Sequence, residues 1–150
     1  KTIFDSCFNE MPIVSAGGCI GGICGWAQQA VEFIRCYNKA NIKGTNSVAG
    51  IIGYQYSGPH FRYCYNSGQI EGTSHVGGIS GEGCTNLYTN RASASYACFN
   101  TGTIIGNSLV GGILGDGGNA CHDMINYGLI VGTSNVGGCS GNIGYATVSL

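Results

Sequence analysis

The sequence predicts an all-β fold, a right-handed parallel β-solenoid of about five coils, and three observations predict it. A pattern of cysteine, aromatic, asparagine, aliphatic residue and glycine recurs along the chain. Its successive copies start 29, 28, 34 and 26 residues apart, a period at which each copy is one supersecondary unit stacked on the next. The composition, with 28 glycines and only 9% charged residues, is poor in the residues that build amphipathic helices.

The copies begin at Cys7-Phe-Asn9, Cys36-Tyr-Asn38, Cys64-Tyr-Asn66, Cys98-Phe-Asn100 and Met124-Ile-Asn126. Six residues on from each start stands Ile13, Ile42, Ile70, Ile104 or Ile130. Two further on come Ser15, Gly44, Gly72, Gly106 and Gly132, and then Val48, Val76, Val110 and Val136, with Ile20 one place late in the first copy. Each copy closes on a glycine segment such as Gly77-Gly-Ile-Ser-Gly81. A unit of 26 to 34 residues cannot bury its own apolar face, so stacking completes the core. Equivalent residues then form columns at the strand spacing of about 4.8 Å, and five coils are roughly 24 Å long.

The isoleucine and valine columns are expected in the core. Asn9, Asn38, Asn66, Asn100 and Asn126 are expected to form an amide ladder at a turn. Gly68, Gly102 and Gly128, two residues after the asparagine, are expected to occupy left-handed turn positions. Trp26 to Arg35 reads as two helical turns with Val31 and Ile34 inward, a local elaboration of one copy. The column Phe8, Tyr37, Tyr65, Phe99 adjoins the cysteine column, and neighbours on a strand face opposite ways. Buried thiols with exposed rings is the preferred arrangement; the converse is the alternative.

One domain, residues 1–150, accommodates this chain of 150 residues. The net charge of −1, with six scattered Lys and Arg, offers no basic stripe for nucleic acid. No apolar run approaches the roughly 18–20 residues of a membrane span. The chain begins at Lys1 and reads as a processed chain or a piece of a longer one. Nine cysteines in 150 residues indicate an oxidising, extracellular or cell-surface setting.

The segments Gly78-Ile-Ser-Gly81 and Gly112-Ile-Leu-Gly115 resemble the GLUG motif of bacterial cell-surface and adhesin-like repeat proteins, with isoleucine in place of leucine. The resemblance covers essentially the whole chain and implies β-solenoid modules at a cell surface. Departures are Cys139 at an isoleucine position, Met124 at a cysteine position and the high cysteine content.

The sequence shows no catalytic, cofactor or metal site. His60, His75 and His122 fall at different phases of the repeat and share no column, against the three or four convergent ligands zinc needs. Glu82 and Asp116 each follow a glycine segment in neighbouring copies; they approach at a corner but read as surface charges. The recurring Gly-Gly-Ile-x-Gly lacks the lysine of a phosphate loop.

The end coils carry no cap, and open strand edges demand cover. Stacking is therefore expected to continue, onto neighbouring repeats of a longer array or head to tail into a fibre. Cys19 and Cys24 in the first glycine segment and Cys139 in the last either staple successive subunits or, in the alternative, form an internal Cys19–Cys24 bridge with Cys139 a buried thiol. The function expected is a non-enzymatic, extracellular structural or adhesive module. The second reading is a carbohydrate-binding or carbohydrate-acting module using the aromatic column or the insertion loops Tyr54 to Tyr63 and Glu82 to Tyr96.

Overall fold

Units of one chemistry at a near-constant spacing are built to pair in register. A computed structural model describes residues 2–29, 31–56, 60–83, 95–117 and 121–143. Among them the regular structure is all strand, paired in parallel, and forms a β-solenoid. The third coil shows the plan: His60–Arg62, Tyr65–Asn66, Ile70–Glu71, Ser74–Gly77 and Ser80–Gly83. In the first three coils the first two strands belong to an eight-stranded sheet, to which the last two coils each give one continuous strand, Ser95–Asn100 and Cys121–Asn126; the other three strands of every coil belong to five-stranded sheets. Ile70 pairs with Ile42 below and Ile104 above, and Val76 with Val48 and Val110. In the first coil Ile20 pairs with Val48 while Ile13 pairs with Ile42. The extra residue there is absorbed between Ser15 and Ile20.

No helix forms among the described residues of Trp26 to Arg35. Cys24–Ala27 and Val31–Ile34 are strands, and Val31 with Phe33, rather than Val31 with Ile34, point into the core. Sheet pairing decides this: Phe33 aligns with Phe4 and Phe61, and the three rings stack inside the solenoid at 5.2 and 5.5 Å between centroids. That gain outweighs the local helix preference of a single segment.

Each coil has a narrow waist between two apolar lobes. One lobe holds Phe33, Phe61, Cys36, Cys64, Cys98, Ile51, Ile79 and Ile113; the other holds Ile42, Ile70, Ile104, Val48, Val76 and Val110. Asn38, Asn66 and Asn100 lie between them, fully buried. Each amide Nδ2 donates twice: to the next coil's asparagine Oδ1 at 2.7–2.8 Å and to the carbonyl two residues on at 2.8 Å. Buried carboxamides so paired carry no uncompensated desolvation penalty.

The glycines make this waist possible. Gly68, Gly102 and Gly128 do not adopt the expected left-handed backbone; among described glycines only Gly83 and Gly117 have positive φ. A Cβ on Gly68 would instead overlap the carbonyl oxygen of Ala40, and one on Gly102 that of Gly68. Gly22, Gly50, Gly78 and Gly112 back onto the asparagine ladder, and a Cβ on any of them would strike the glycine carbonyl of the following coil. Gly53, Gly81 and Gly115 press against the backbone of the neighbouring sheet.

The left-handed positions belong to other residues. Ser6, Arg35, Tyr63, Ala97 and Asp123 have φ between 52° and 57°, one residue before the cysteine column. Cys19, Ser47, His75, Leu109 and Asn135 have φ between 51° and 57°, one residue before the valine column. Each such L-residue costs roughly 1–2 kcal/mol. The bend it makes turns the following side chain into the core.

Replacing Gly78 by Ala drives a methyl group into Gly112 and Asn100 and is expected to destabilise the chain by about 3 kcal/mol. Gly138 belongs to the same column, but a methyl group added there would meet nothing within 4 Å, so Gly138→Ala is expected to change stability by no more than about 0.5 kcal/mol. Chemical denaturation of the two variants beside the parent checks the contrast.

Candidate functional site

The thiol column lies inside. Cys36 and Cys64 are fully buried and Cys98 is 1% exposed. At Cys36 and Cys64 the left-handed residue before the thiol interrupts the strand, and the sulfur turns back onto nearby carbonyls: Cys36 Sγ donates to Ile34 O and Phe4 O at 3.4 Å. Cys64 Sγ donates to Phe33 O at 3.4 Å and Arg62 O at 3.5 Å. Hydrogen bonding with Cys64, and then burial, push the Cys36 thiol well above its ordinary 9.0. At Cys64 the bond with Cys36 acts downward, but that with Cys98 and burial outweigh it and push the thiol up to about 12. Protonated and enclosed, these sulfurs are poor nucleophiles and poor metal ligands.

The alternative of an internal Cys19–Cys24 bridge is not realised: Cys19, Cys24 and Cys139 are all free thiols. Cys24 packs against the larger apolar lobe and donates its S–H to Trp26 O at 3.5 Å. Cys19 stands at a left-handed bend in the column of Ser47 and His75, on a different sheet. Burial, with a smaller contribution from Glu82, raises its thiol. Cys139 is exposed rather than buried, and its carbonyl accepts from Ile113, which puts it in the column of Ile23, Ile51, Ile79 and Ile113. In-register stacking of one chain on another sets Cys139 on Ile23, with Cys24 one position along.

The aromatic column lies outside. Phe8 is 58% and Phe99 39% exposed. Phe8, Tyr37, Tyr65 and Phe99 stack with centroids 4.9–5.1 Å apart and planes within 8°. Each inner ring therefore has both faces covered by its neighbours and shows solvent its edge. At the lower rim Lys39 Nζ sits 4.8 Å from the Tyr37 centroid and 3.0 Å from Glu10 Oε1, while the Tyr37 hydroxyl donates to the same oxygen at 3.4 Å.

A polar corner was not anticipated as a cluster. Ser47 Oγ donates to Glu82 Oε2 at 2.7 Å. His75 Nε2 lies 3.6 Å from Asp116 Oδ2, whose Oδ1 accepts from Asn142 Nδ2 at 2.8 Å. Ser74 Oγ is 3.1 Å from His75 Nδ1 but gives its proton to Asn46 Oδ1 at 2.7 Å, so it is not poised for transfer to the imidazole. The Ser47–Glu82, His75–Asp116, Asp116–Asn142 and Ser74–Asn46 contacts each join one coil to the next, as the backbone register requires. Glu82 and Asp116 do come to one corner, yet each is engaged by a partner from a neighbouring coil. Only that register could have revealed the cluster, since the residues lie up to 96 apart in the sequence, from Asn46 to Asn142, with no spacing motif.

His60 and His122 lie on the eight-stranded sheet, away from His75. Among the described residues no group of three or more His, Cys, Asp and Glu is placed to hold a metal ion, and no helix is long and apolar enough to cross a membrane. Of the insertion loops, residues 57–59 and 84–94 lie outside the described residues. No protein-family model, curated protein or solved structure matches the chain.

The thiols give a pH dependence whose sign is fixed. Below the ordinary thiol value of 9.0 the sulfurs are protonated in both folded and unfolded chains and contribute no slope. Between there and the folded value of about 12 for Cys64 the unfolded chain releases a proton from this thiol that the folded chain keeps, so stability falls as pH rises. The expected slope is up to about 1.4 kcal/mol per pH unit from Cys64. Urea unfolding from about pH 8 to about pH 11 measures it, and Cys64→Ala should show a shallower decline.

Proposed function

We propose that the chain is an extracellular or cell-surface structural or adhesive module, of the kind its resemblance to GLUG repeats implies, whose work is done by a stiff stack of coils rather than by a catalytic centre. One observation carries this reading: the side chains that look chemical in the sequence are taken up in joining coils. The asparagine amides bond along the stack, the thiols bond to carbonyls inside it, and the ion pairs Asp5–Arg35, Glu10–Lys39 and Lys43–Glu71 each bridge adjacent coils. The enclosed thiols also suit an oxidising exterior, because oxidation needs an accessible thiolate.

Carbohydrate stacking on the aromatic column is disfavoured by ring geometry. A sugar stacks on an open ring face, and the faces of Tyr37 and Tyr65 are occupied by neighbouring rings. A carbohydrate reading therefore moves to the insertion loops.

The double variant Tyr37→Ala, Tyr65→Ala removes three ring contacts and is expected to lower stability by about 2–4 kcal/mol while changing no glycan binding. Thermal unfolding and a glycan array run on parent and variant test this together. A glycan that binds the parent and is lost in the still-folded variant would overturn the structural reading in favour of carbohydrate recognition.

A further inference from the structure

We propose that the last coil docks in register on the first coil of a second copy of this chain, with the asparagine ladder running through the junction. The inference rests on the structural reading above and names its partner. Three observations point to it.

The first is the state of the last coil's inward columns. Ile20, Val48, Val76 and Val110 are buried, yet Val136 in the same column is 45% exposed. Cys139 is exposed where Ile51, Ile79 and Ile113 are fully buried. Among the described residues the strands of the first and last coils each have a partner on one side only.

The second is the polarity of the ladder. Every amide donates from its own coil to the next: Asn9 to Asn38, and so on to Asn126. Asn126 Nδ2 bonds to Gly128 O but has no asparagine above it among the described residues. Asn9 Oδ1 accepts from Met11 N at 3.3 Å and, among the described residues, from no amide below. A donor at one end and an acceptor at the other fit head to tail, and a two-fold pairing of like ends would oppose donor to donor. The interface is therefore heterologous, which propagates.

The third is the match of columns. Only a coil with asparagine at its waist and aliphatic columns on the same spacing can continue the stack. The first coil presents Asn9 to Asn126, Ile13 to Ile130 and Ile20 to Val136, columns already aligned within the chain. On the eight-stranded sheet the same register sets His122 beside Asp5, which brings no like charges together there.

Gly138 supplies a test that separates docking from folding. A Cβ on Gly112 would strike Gly138 O and Asn126, whereas a Cβ on Gly138 meets nothing within 4 Å in the single chain. In the docked pair it would meet Gly22 of the second copy as Gly112 meets Gly138. Sedimentation velocity over a wide concentration range, with electron microscopy of the same samples, is expected to show the parent as a series of linear oligomers growing with concentration. Gly138→Ala should remain a monomer, with the unfolding midpoint that the parent shows at concentrations where it too is monomeric. Asn126→Asp, which keeps the acceptor for Asn100 and removes the terminal donor together with its bond to Gly128 O, should likewise lose the series. A parent that stays monomeric throughout, or a Gly138→Ala chain that assembles like the parent, overturns the docking. Neither result touches the structural reading, which fails separately through the glycan array.

Discussion

The coils of this molecule can be no farther apart at their centre than a carboxamide hydrogen bond, and most of the sequence follows from that constraint. The amides of Asn38, Asn66 and Asn100 are fully buried, so each must place both protons and its oxygen within the protein or lose about 1–3 kcal/mol per unmet group. The stack meets this requirement by repeating it, with each Nδ2 reaching the next Oδ1 at 2.7–2.8 Å. The opposing wall must then come close enough to exclude water from the amides, and no side chain fits there. Gly50, Gly78 and Gly112 are that wall. The two apolar lobes on either side are as small as they are because the waist divides the coil.

This arrangement explains which parts of the fold could be read in advance. The aliphatic and asparagine columns were legible because stacking requires like to lie on like, and the period is written in residues such as Ile42, Ile70 and Ile104 that a mismatch would expose. The glycines were legible as positions but not as causes. A left-handed turn and a close approach both select glycine, and only the overlap of a Cβ with the carbonyl of Ala40 or Gly68 distinguishes them. The true left-handed columns were illegible. Arg35, Tyr63 and Leu109 belong to residue types that seldom take that backbone, held there because the buried residue that follows each of them leaves the chain no other direction.

The candidate sites divide along the same line. Burial of the thiols and exposure of the rings were weighable from the sequence, because methionine replaces cysteine at Met124 and suits an apolar slot. The inner stack of Phe4, Phe33 and Phe61 was missed: it occupies three copies only, and its middle ring, Phe33, lies in a segment whose spacing imitates a helix. The polar corner of Ser47, Glu82, His75 and Asp116 was out of reach for another reason. Its members belong to two columns and three coils, and contacts between such residues depend on how far one sheet sits from the next, a distance set by Gly53, Gly81 and Gly115 rather than by the residues that touch.

The ladder that fixes the width of each coil also gives the whole stack a direction. Backbone pairing in a parallel sheet exposes both donors and acceptors at either edge, so it does not by itself distinguish one end from the other in chemistry. The carboxamide column does, because its donors all point toward the last coil and its acceptors toward the first. Buried hydrogen bonds in a chain polarise one another, so five aligned amides act as one unit with a donor at Asn126 that, among the described residues, has no amide to meet and an under-used acceptor at Asn9. A surface that ends on such a donor is satisfied either by water or by a coil that repeats the motif. With core columns as exposed as Val136 around it, the coil also removes apolar area that water would leave wet.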